Sequence, residues 1–199
     1  MLDARRVVSK VELRRRVRQD RRQESSVARA KRSDELTSFL PELHHYCSGG
    51  VAGFQPTNSE PDISPLLQGI IRRSPVYLPR TSGVELQWVA AQPDQLVGDL
   101  TGIPDPTGPS AAIGSDVVTK LGVTIILVPA LALDPANGIR LGYGAGWYDR
   151  LLSAIPRQGR PLIVGVCRSV DLLPLPADPH DEPVDAILTE AGLAPIKTR

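Results

Sequence analysis

Cysteine is scarce in this chain: Cys47 and Cys167 are the only two among 199 residues. Two thiols cannot build the disulfide framework of a small secreted domain, so a reducing compartment is expected, and with it a cytoplasmic location. One long-range bridge is the alternative. Long apolar runs are also missing. The longest, residues 121–133, holds Thr124 and Pro129 and is too short to cross a bilayer, so no membrane partner is expected. The N-terminus is basic with no apolar run behind it, and no secretory signal is expected. Aromatic residues make up only 4% of the chain, and Trp88 and Trp147 are too few for a nucleic-acid stacking platform. Three histidines leave no evident Ser–His–acid set. His44-His45-Tyr46-Cys47 has metal-ligand residue types but no fourth ligand at suitable spacing for zinc. With 23% charged and 41% hydrophobic residues, the chain is not wholly disordered, and its length suits one domain.

Net charge is only +1, but it is unevenly spread. Residues 1–32 hold 12 of the 23 basic side chains and four acids, a balance of +8, which leaves −7 on the remainder. A basic segment on an acidic body points to an anionic partner or to arginines that pair with acids of the body. The second reading is the expectation for most of them.

The residues from Lys10 to Gln23 read as a helix, with Ser9 and Glu12 at capping-box spacing and a thin apolar stripe of Val7, Val11 and Val17. A second helix starts near Ser25 or Ser26 and stops before Pro41, burying Val27, Ala30, Leu36 and Leu40. Then come a strand at Val51–Phe54, a loop at Thr57–Asp62, a helix at Ile63–Ile71 and a strand at Val76–Leu78. The stretch Gln92–Ser115 is rich in Gly, Pro and Asp and reads as an irregular, mobile surface connection. Val123–Val128 is an apolar, β-branched run that suits a central strand covered on both faces. Leu162–Val166 and Ala186–Thr189 are further strands, and residues 195–199 are expected to fray. Strands alternating with helices predict a single α/β domain, a three-layer α/β/α sandwich with a mostly parallel sheet.

The chemistry concentrates in Asn137-Gly-Ile-Arg140-Leu-Gly142-Tyr-Gly144-Ala-Gly146-Trp-Tyr-Asp149-Arg150, which follows the central strand and opens a helix. Alternate glycines permit positive φ and allow an anion to approach several N–H groups, with the helix N-terminus adding a positive dipole end. Arg140 and Arg150 flank the loop and suit phosphate. The spacing is neither a Walker loop nor Gly-x-Gly-x-x-Gly, and a tight turn at the sheet edge is the alternative. Asp149, and Asp181 from a loop before the last strand, have the chemistry of a magnesium site if they converge. The other reading makes Asp149 a helix N-terminal acid and Asp181 a turn former. Lys10 and Arg14 share a helix face and suit an anion, although Lys10 in the first turn opposes the helix dipole.

The run from Val128-Pro-Ala-Leu-Ala-Leu-Asp134 through Asp149-Arg150 resembles the signature of the 5-formyltetrahydrofolate cyclo-ligase (5,10-methenyltetrahydrofolate synthetase) family. Lys10-Val-Glu-Leu-Arg14, Phe54-Gln-Pro-Thr-Asn-Ser-Glu60, Ile103-Pro-Asp-Pro106 and Pro176-x-x-x-x-Asp181-x-x-Val184-Asp185 are similar to further family segments, in order along the chain. The resemblance implies a three-layer α/β enzyme that uses ATP and Mg²⁺ to cyclise 5-formyltetrahydrofolate. It implies that Lys10, Arg14, Arg140, Leu141, Gly142, Tyr143, Gly144, Ala145, Gly146, Trp147 and Tyr148 hold ATP. By the same resemblance Gln55, Glu60, Tyr143 and Trp147 face the folate, and Asp149 and Asp181 hold Mg²⁺. The expected state is a monomer or weak dimer acting on small molecules, without nucleic acid. The chain departs from the family pattern at Ala145, Trp147, Leu133, Thr101 and Val170. The alternative is a nucleotide-binding module of this shape without the activity, whose basic helix binds nucleic acid.

Overall fold

The computed structural model describes residues 9–57, 60–96 and 106–197. In chain order the first elements are α1 (Lys10–Arg22), α2 (Ser26–Thr37), α3 (Leu40–His44), β1 (Gly50–Ala52), α4 (Ser64–Ile70), β2 (Val76–Ser82), β3 (Glu85–Ala90) and β4 (Ser110–Ile113). There follow α5 (Asp116–Leu121), β5 (Val123–Pro129), β6 (Ala132–Leu133), β7 (Arg140–Leu141), α6 (Trp147–Ala154), β8 (Leu162–Val166), β9 (Ala186–Thr189) and β10 (Gly192–Pro195). Eight strands form one sheet in the order β10-β9-β8-β5-β1-β2-β3-β4, and β6 and β7 form a separate hairpin.

The five central strands, β9 to β2 in that order, are all parallel. Antiparallel strands extend the sheet at both edges. The strands are short and β-branched, and their neighbours bury alternate faces. Ile125, Leu127, Val164 and Val166 join one apolar cluster with Leu36 of α2, Leu43 of α3 and Leu66 of α4. Ile126, Val128 and Ile163 join the opposite cluster with Val117 of α5 and Leu151 of α6. Helices therefore cover both faces, the expected three layers with a parallel centre.

The connection after β1 and β2 builds the sheet in one direction, and β5, β8 and β9 build it in the other. The reversal lies between β1 and β5. In open α/β sheets the crevice beyond the carboxyl ends of such strands is where ligands bind.

A third apolar cluster attaches α1 to the body: Leu13 and Val17 pack on Leu131, Ala132, Ile139, Leu141 and Leu175. The Arg21 side chain is 1% exposed. Its Nε and Nη2 donate to Asp171 Oδ2 at 3.1 and 2.9 Å, and Nη2 also donates to the carbonyls of Ala130 and Leu131 at 2.9 and 2.8 Å. Arg168 completes the pair on Asp171 from the other side at 2.7 and 2.8 Å.

Several sequence expectations change. The buried stripe of α1 is Leu13, Val17 and Arg21, while Val11 is 72% exposed and Val7 lies outside the described residues. On α2 the buried residues are Ser33 and Leu36, with Val27 and Ala30 exposed. Polar Ser33 faces inward because its hydroxyl donates to the Asp62 carbonyl at 2.9 Å. Pro41 does not end the helical region but sits in the first turn of α3, where its missing N–H costs nothing. Within Gln92–Ser115, residues 110–113 form an edge strand on β3, and residues 97–105 lie outside the description. The tail is paired rather than frayed at its start: Pro195 lies opposite Ala186, and the Ile196 N–H donates to the Asp185 carbonyl at 2.8 Å. Replacing Arg21 with Ala would strand two buried carbonyls and take from Asp171 one of its two guanidinium partners. The expected outcome is a loss of about 3 kcal/mol in urea unfolding, with Arg21→Met losing less, and an Arg21→Ala loss below about 1 kcal/mol would contradict this role.

Candidate active site

A cavity of about 410 Å³ opens at the carboxyl ends of β1, β2 and β5. Its walls come from Phe54 and Gln55 just after β1, Pro79 and Thr81 of β2, Pro129 of β5, the loop before α6 and the N-terminal turns of α1. The volume lies in the usual range for small-ligand sites.

Of the residues expected to hold ATP, substrate or metal, only Leu141 does not line this cavity. Leu141 is fully buried in the cluster under α1, because β7 pairs with β6 and turns its side chain inward. Lys10, Arg14, Gln55, Glu60, Arg140, the loop from Gly142 to Asp149 and Asp181 all reach the cavity from four separate segments of chain.

The glycine loop has the conformation its spacing calls for at two of three positions. Gly144 and Gly146 have φ of 109° and 69°, and Gly146 forms the N-cap of α6. Gly142 is not in the left-handed region, and its carbonyl accepts from Arg14 Nε at 2.8 Å. Arg18 holds the next residue in two ways. Its Nη2 donates to the Tyr143 carbonyl at 3.2 Å, and its guanidinium carbon lies 5.4 Å from the centroid of the Tyr143 ring. On the far side, Arg150 Nη1 donates to the Ala145 carbonyl at 3.0 Å and its guanidinium carbon lies 5.0 Å from the Trp147 ring centroid. The loop is thus pinned by arginines on both flanks.

Each aspartate expected at a metal has one oxygen occupied and one without a partner among the described residues. Asp149 Oδ1 accepts from Arg140 Nη2 at 2.6 Å and from the Glu182 N–H at 3.4 Å. Asp181 Oδ2 accepts from Lys10 Nζ at 2.6 Å and from the Asp178 N–H at 2.7 Å. Lys10 Nζ also donates to Asp178 Oδ2 at 2.7 Å. Burial opposes the charge on Lys10, but the hydrogen bonds and charges of Asp178 and Asp181 outweigh it and raise its pKa. The first-turn position of Lys10, capped by Ser9, is therefore compensated by carboxylates from a segment far along the chain. Arg140, whose side chain also donates to the Glu182 carbonyl, has its pKa lowered by burial despite Asp149.

Carboxylates with an unpartnered oxygen lining a cleft are hard-oxygen donors of the type Mg²⁺ takes. The residues present fit such an ion. Asp178, His180 and Asp181 place one ligand atom each within 4.8 Å of one another, a set that does not include Asp149. Asp178 and His180 were not expected at the site. Their signal lay in their position, three residues and one residue before Asp181.

The other end of the cavity is less charged. Glu60 is buried, and its Oε2 accepts from the Thr57 N–H at 2.7 Å while the Tyr143 hydroxyl donates to the same carboxylate. Burial raises its pKa above the usual range. The Tyr148 phenol is also pushed up by burial, and its buried hydroxyl and Gln55 Oε1 have no hydrogen-bond partner among the described residues. Unpartnered buried polar atoms beside a cavity are where a ligand would supply the missing hydrogen bonds. Of the departures, Leu133 packs in the core with its methyl groups 2.9 Å from where a Cβ on Gly165 would stand. Val170 is 72% exposed and does not line the cavity, and Thr101 lies outside the described residues.

A sequence model of the 5-formyltetrahydrofolate cyclo-ligase family matches residues 6–190. The chain belongs to that family. The 5-formyltetrahydrofolate cyclo-ligase of Mycolicibacterium smegmatis is 34% identical over 193 residues, covering 91% of this chain and 93% of that protein. The solution NMR structure of 5,10-methenyltetrahydrofolate synthetase from Aquifex aeolicus superposes with a TM-score of 0.75 at 28% identity, covering 96% and 94% of the two chains. The 5,10-methenyltetrahydrofolate synthetase of Mycoplasma pneumoniae shares the fold at a TM-score of 0.71 and 17% identity, covering 91% and 98%. Among the described residues no helix is long and apolar enough to cross a membrane.

The buried Glu60 carboxyl gives a sign that can be measured. Because its folded pKa is raised, the native state binds the proton more tightly than the unfolded state, and stability falls as pH rises through the window between the two values. Glu60→Gln removes this loss. Its melting temperature relative to the parent chain should rise as the pH is taken upward from about 4, the ordinary glutamate range, with each kcal/mol appearing as about 2–4 °C. A difference that stays flat or falls over that rise in pH would contradict the burial of an ionisable Glu60.

Proposed function

We propose that this chain converts 5-formyltetrahydrofolate to 5,10-methenyltetrahydrofolate with the consumption of ATP, in the presence of Mg²⁺. The observation that carries the reading is the single cavity at the sheet reversal. There the pinned glycine loop, three cations and two half-occupied aspartates meet a buried, less polar end lined by Gln55, Glu60 and Tyr148.

In this reading the backbone N–H groups at residues 142–146 and the start of α6 receive the phosphates, and Lys10, Arg14 and Arg140 neutralise them. Asp149 and Asp181 would hold the divalent ion through their unpartnered oxygens, and the ion would supply charge neutralisation at the transferring phosphoryl group. Gln55, Glu60 and the Tyr148 hydroxyl complete their hydrogen bonds on the polar edge of the folate ring, and Tyr143 and Trp147 line its approach. Ala145 contributes no cation to the loop, and its carbonyl accepts from Arg150.

The chemistry needs no covalent enzyme nucleophile. The oxygen of the N5 formyl group attacks the γ-phosphorus and ADP departs. N10 then attacks the activated formyl carbon, the ring closes, N10 loses its proton and inorganic phosphate leaves. The attack is intramolecular, so a site that fixes the folate side-chain torsion gains a large effective molarity. The protein's work is alignment of donor and acceptor and stabilisation of charge by fixed dipoles and cations.

The reaction is read directly from the absorbance of the methenyl product, with 5-formyltetrahydrofolate, ATP and Mg²⁺ supplied. No product above the enzyme-free rate would overturn the assignment. Asp149→Ala is expected to lower kcat by about 10²-fold or more with unchanged far-ultraviolet circular dichroism. Arg140→Ala should raise the KM for ATP more than that for the folate, and the reverse order would mean that the two ends of the cavity have been exchanged.

A further inference from the structure

We propose that Asp178 makes this cavity selective for the metal-chelated nucleotide over the free one; the proposal rests on the nucleotide reading above. The charge balance of the walls is the starting point. Three cationic side chains, Lys10, Arg14 and Arg140, face four carboxyl groups, Glu60, Asp149, Asp178 and Asp181. A site for a polyanion would be expected to carry an excess of positive charge, and this one does not.

Three of the four acids have work that their position explains. Glu60 holds the Thr57 N–H, Asp149 anchors Arg140 and the Glu182 N–H, and Asp181 anchors Lys10 and the Asp178 N–H. The Asp178 carboxylate has one partner among the described residues, Lys10 Nζ, and is 48% exposed at the rim. Lys10 alone would balance Asp181. With Asp178 present the three charges sum to −1.

The consequence depends on the charge of the incoming ligand. A fully ionised nucleoside triphosphate carries about four negative charges, and its magnesium chelate about two. Coulomb energy is linear in ligand charge, so a fixed negative charge at the rim opposes the free nucleotide about twice as strongly as the chelate. Removing the charge must therefore improve binding of the free form more than binding of the chelate. The hydrogen bond that Asp178 gives to Asp181 comes from its backbone, so a side-chain amide leaves that contact in place.

The test is calorimetric titration of the full chain with ATP, without folate, once in EDTA and once in excess Mg²⁺ at constant ionic strength. Asp178→Asn is expected to tighten metal-free ATP about tenfold and Mg–ATP about threefold, which lowers the chelate preference about threefold. Asp178→Glu should keep the parent preference, and added NaCl should shrink the difference through screening. An unchanged preference in Asp178→Asn, with both forms still bound, would overturn this proposal alone. Failure of the parent chain to bind either form would overturn the nucleotide reading and this proposal with it.

Discussion

Attachment of α1 to the rest of the molecule is the constraint on which the cavity depends. The helix has a weak apolar stripe, and Leu13 and Val17 bury only part of what a docked helix needs. Arg21 supplies the rest by satisfying two carbonyls at the end of β5 and the Asp171 carboxylate. A charged side chain in that position is tolerated only because every one of these partners is in place. Once α1 is held there, Lys10, Arg14 and Arg18 are carried at fixed spacing along one helix flank to Asp181, Gly142 and Tyr143. Arg14, Arg18 and Arg21 are thus turned inward, onto carbonyls and an acid of the body, while Arg15, Arg16 and Arg22 stay exposed.

The site itself is built on mutual neutralisation. Lys10 with Asp181 and Arg140 with Asp149 are short, partly buried pairs, each steadied by a backbone N–H on the carboxylate. Such pairs lock the orientation of both members before any ligand arrives, and preorganised charge of this kind does not have to rearrange when the ligand's charge moves. At the other end of the cavity the polarity is of a different kind, with a raised Glu60 and neutral groups whose hydrogen bonds are unfilled. One cavity therefore has an end lined by paired charges and an end whose buried polar groups have unfilled hydrogen bonds.

Much of this was legible from residue order. The alternation of short β-branched runs with helices led to the three layers, and Ser9 with Glu12 placed the start of α1. The glycine spacing located the loop, and all but one of the expected site residues reach the same cavity. The failures share a cause. Val11 and Val27 are apolar by type yet exposed, while Arg21 and Ser33 are polar yet buried, because burial was decided by partners that no local pattern reveals. The edge strands β4 and β10 were missed for the same reason: each is short, with little periodicity, and exists through pairing to a neighbour already in the sheet.

The amino-acid sequence by itself determined the local facts: where helices begin, which runs are central strands, and that a loop with glycines at alternate positions precedes a helix. Those follow from interactions within a few residues, capping, periodicity and φ freedom, which act without knowledge of the rest of the chain. Only the tertiary structure decided that Lys10 meets Asp178 and Asp181, that Arg140 meets Asp149, and that Leu141 faces the core instead of the cavity. These depend on how the strands are ordered and where the sheet reverses, and charges that lie more than a hundred residues apart in the chain become neighbours only when that order is set.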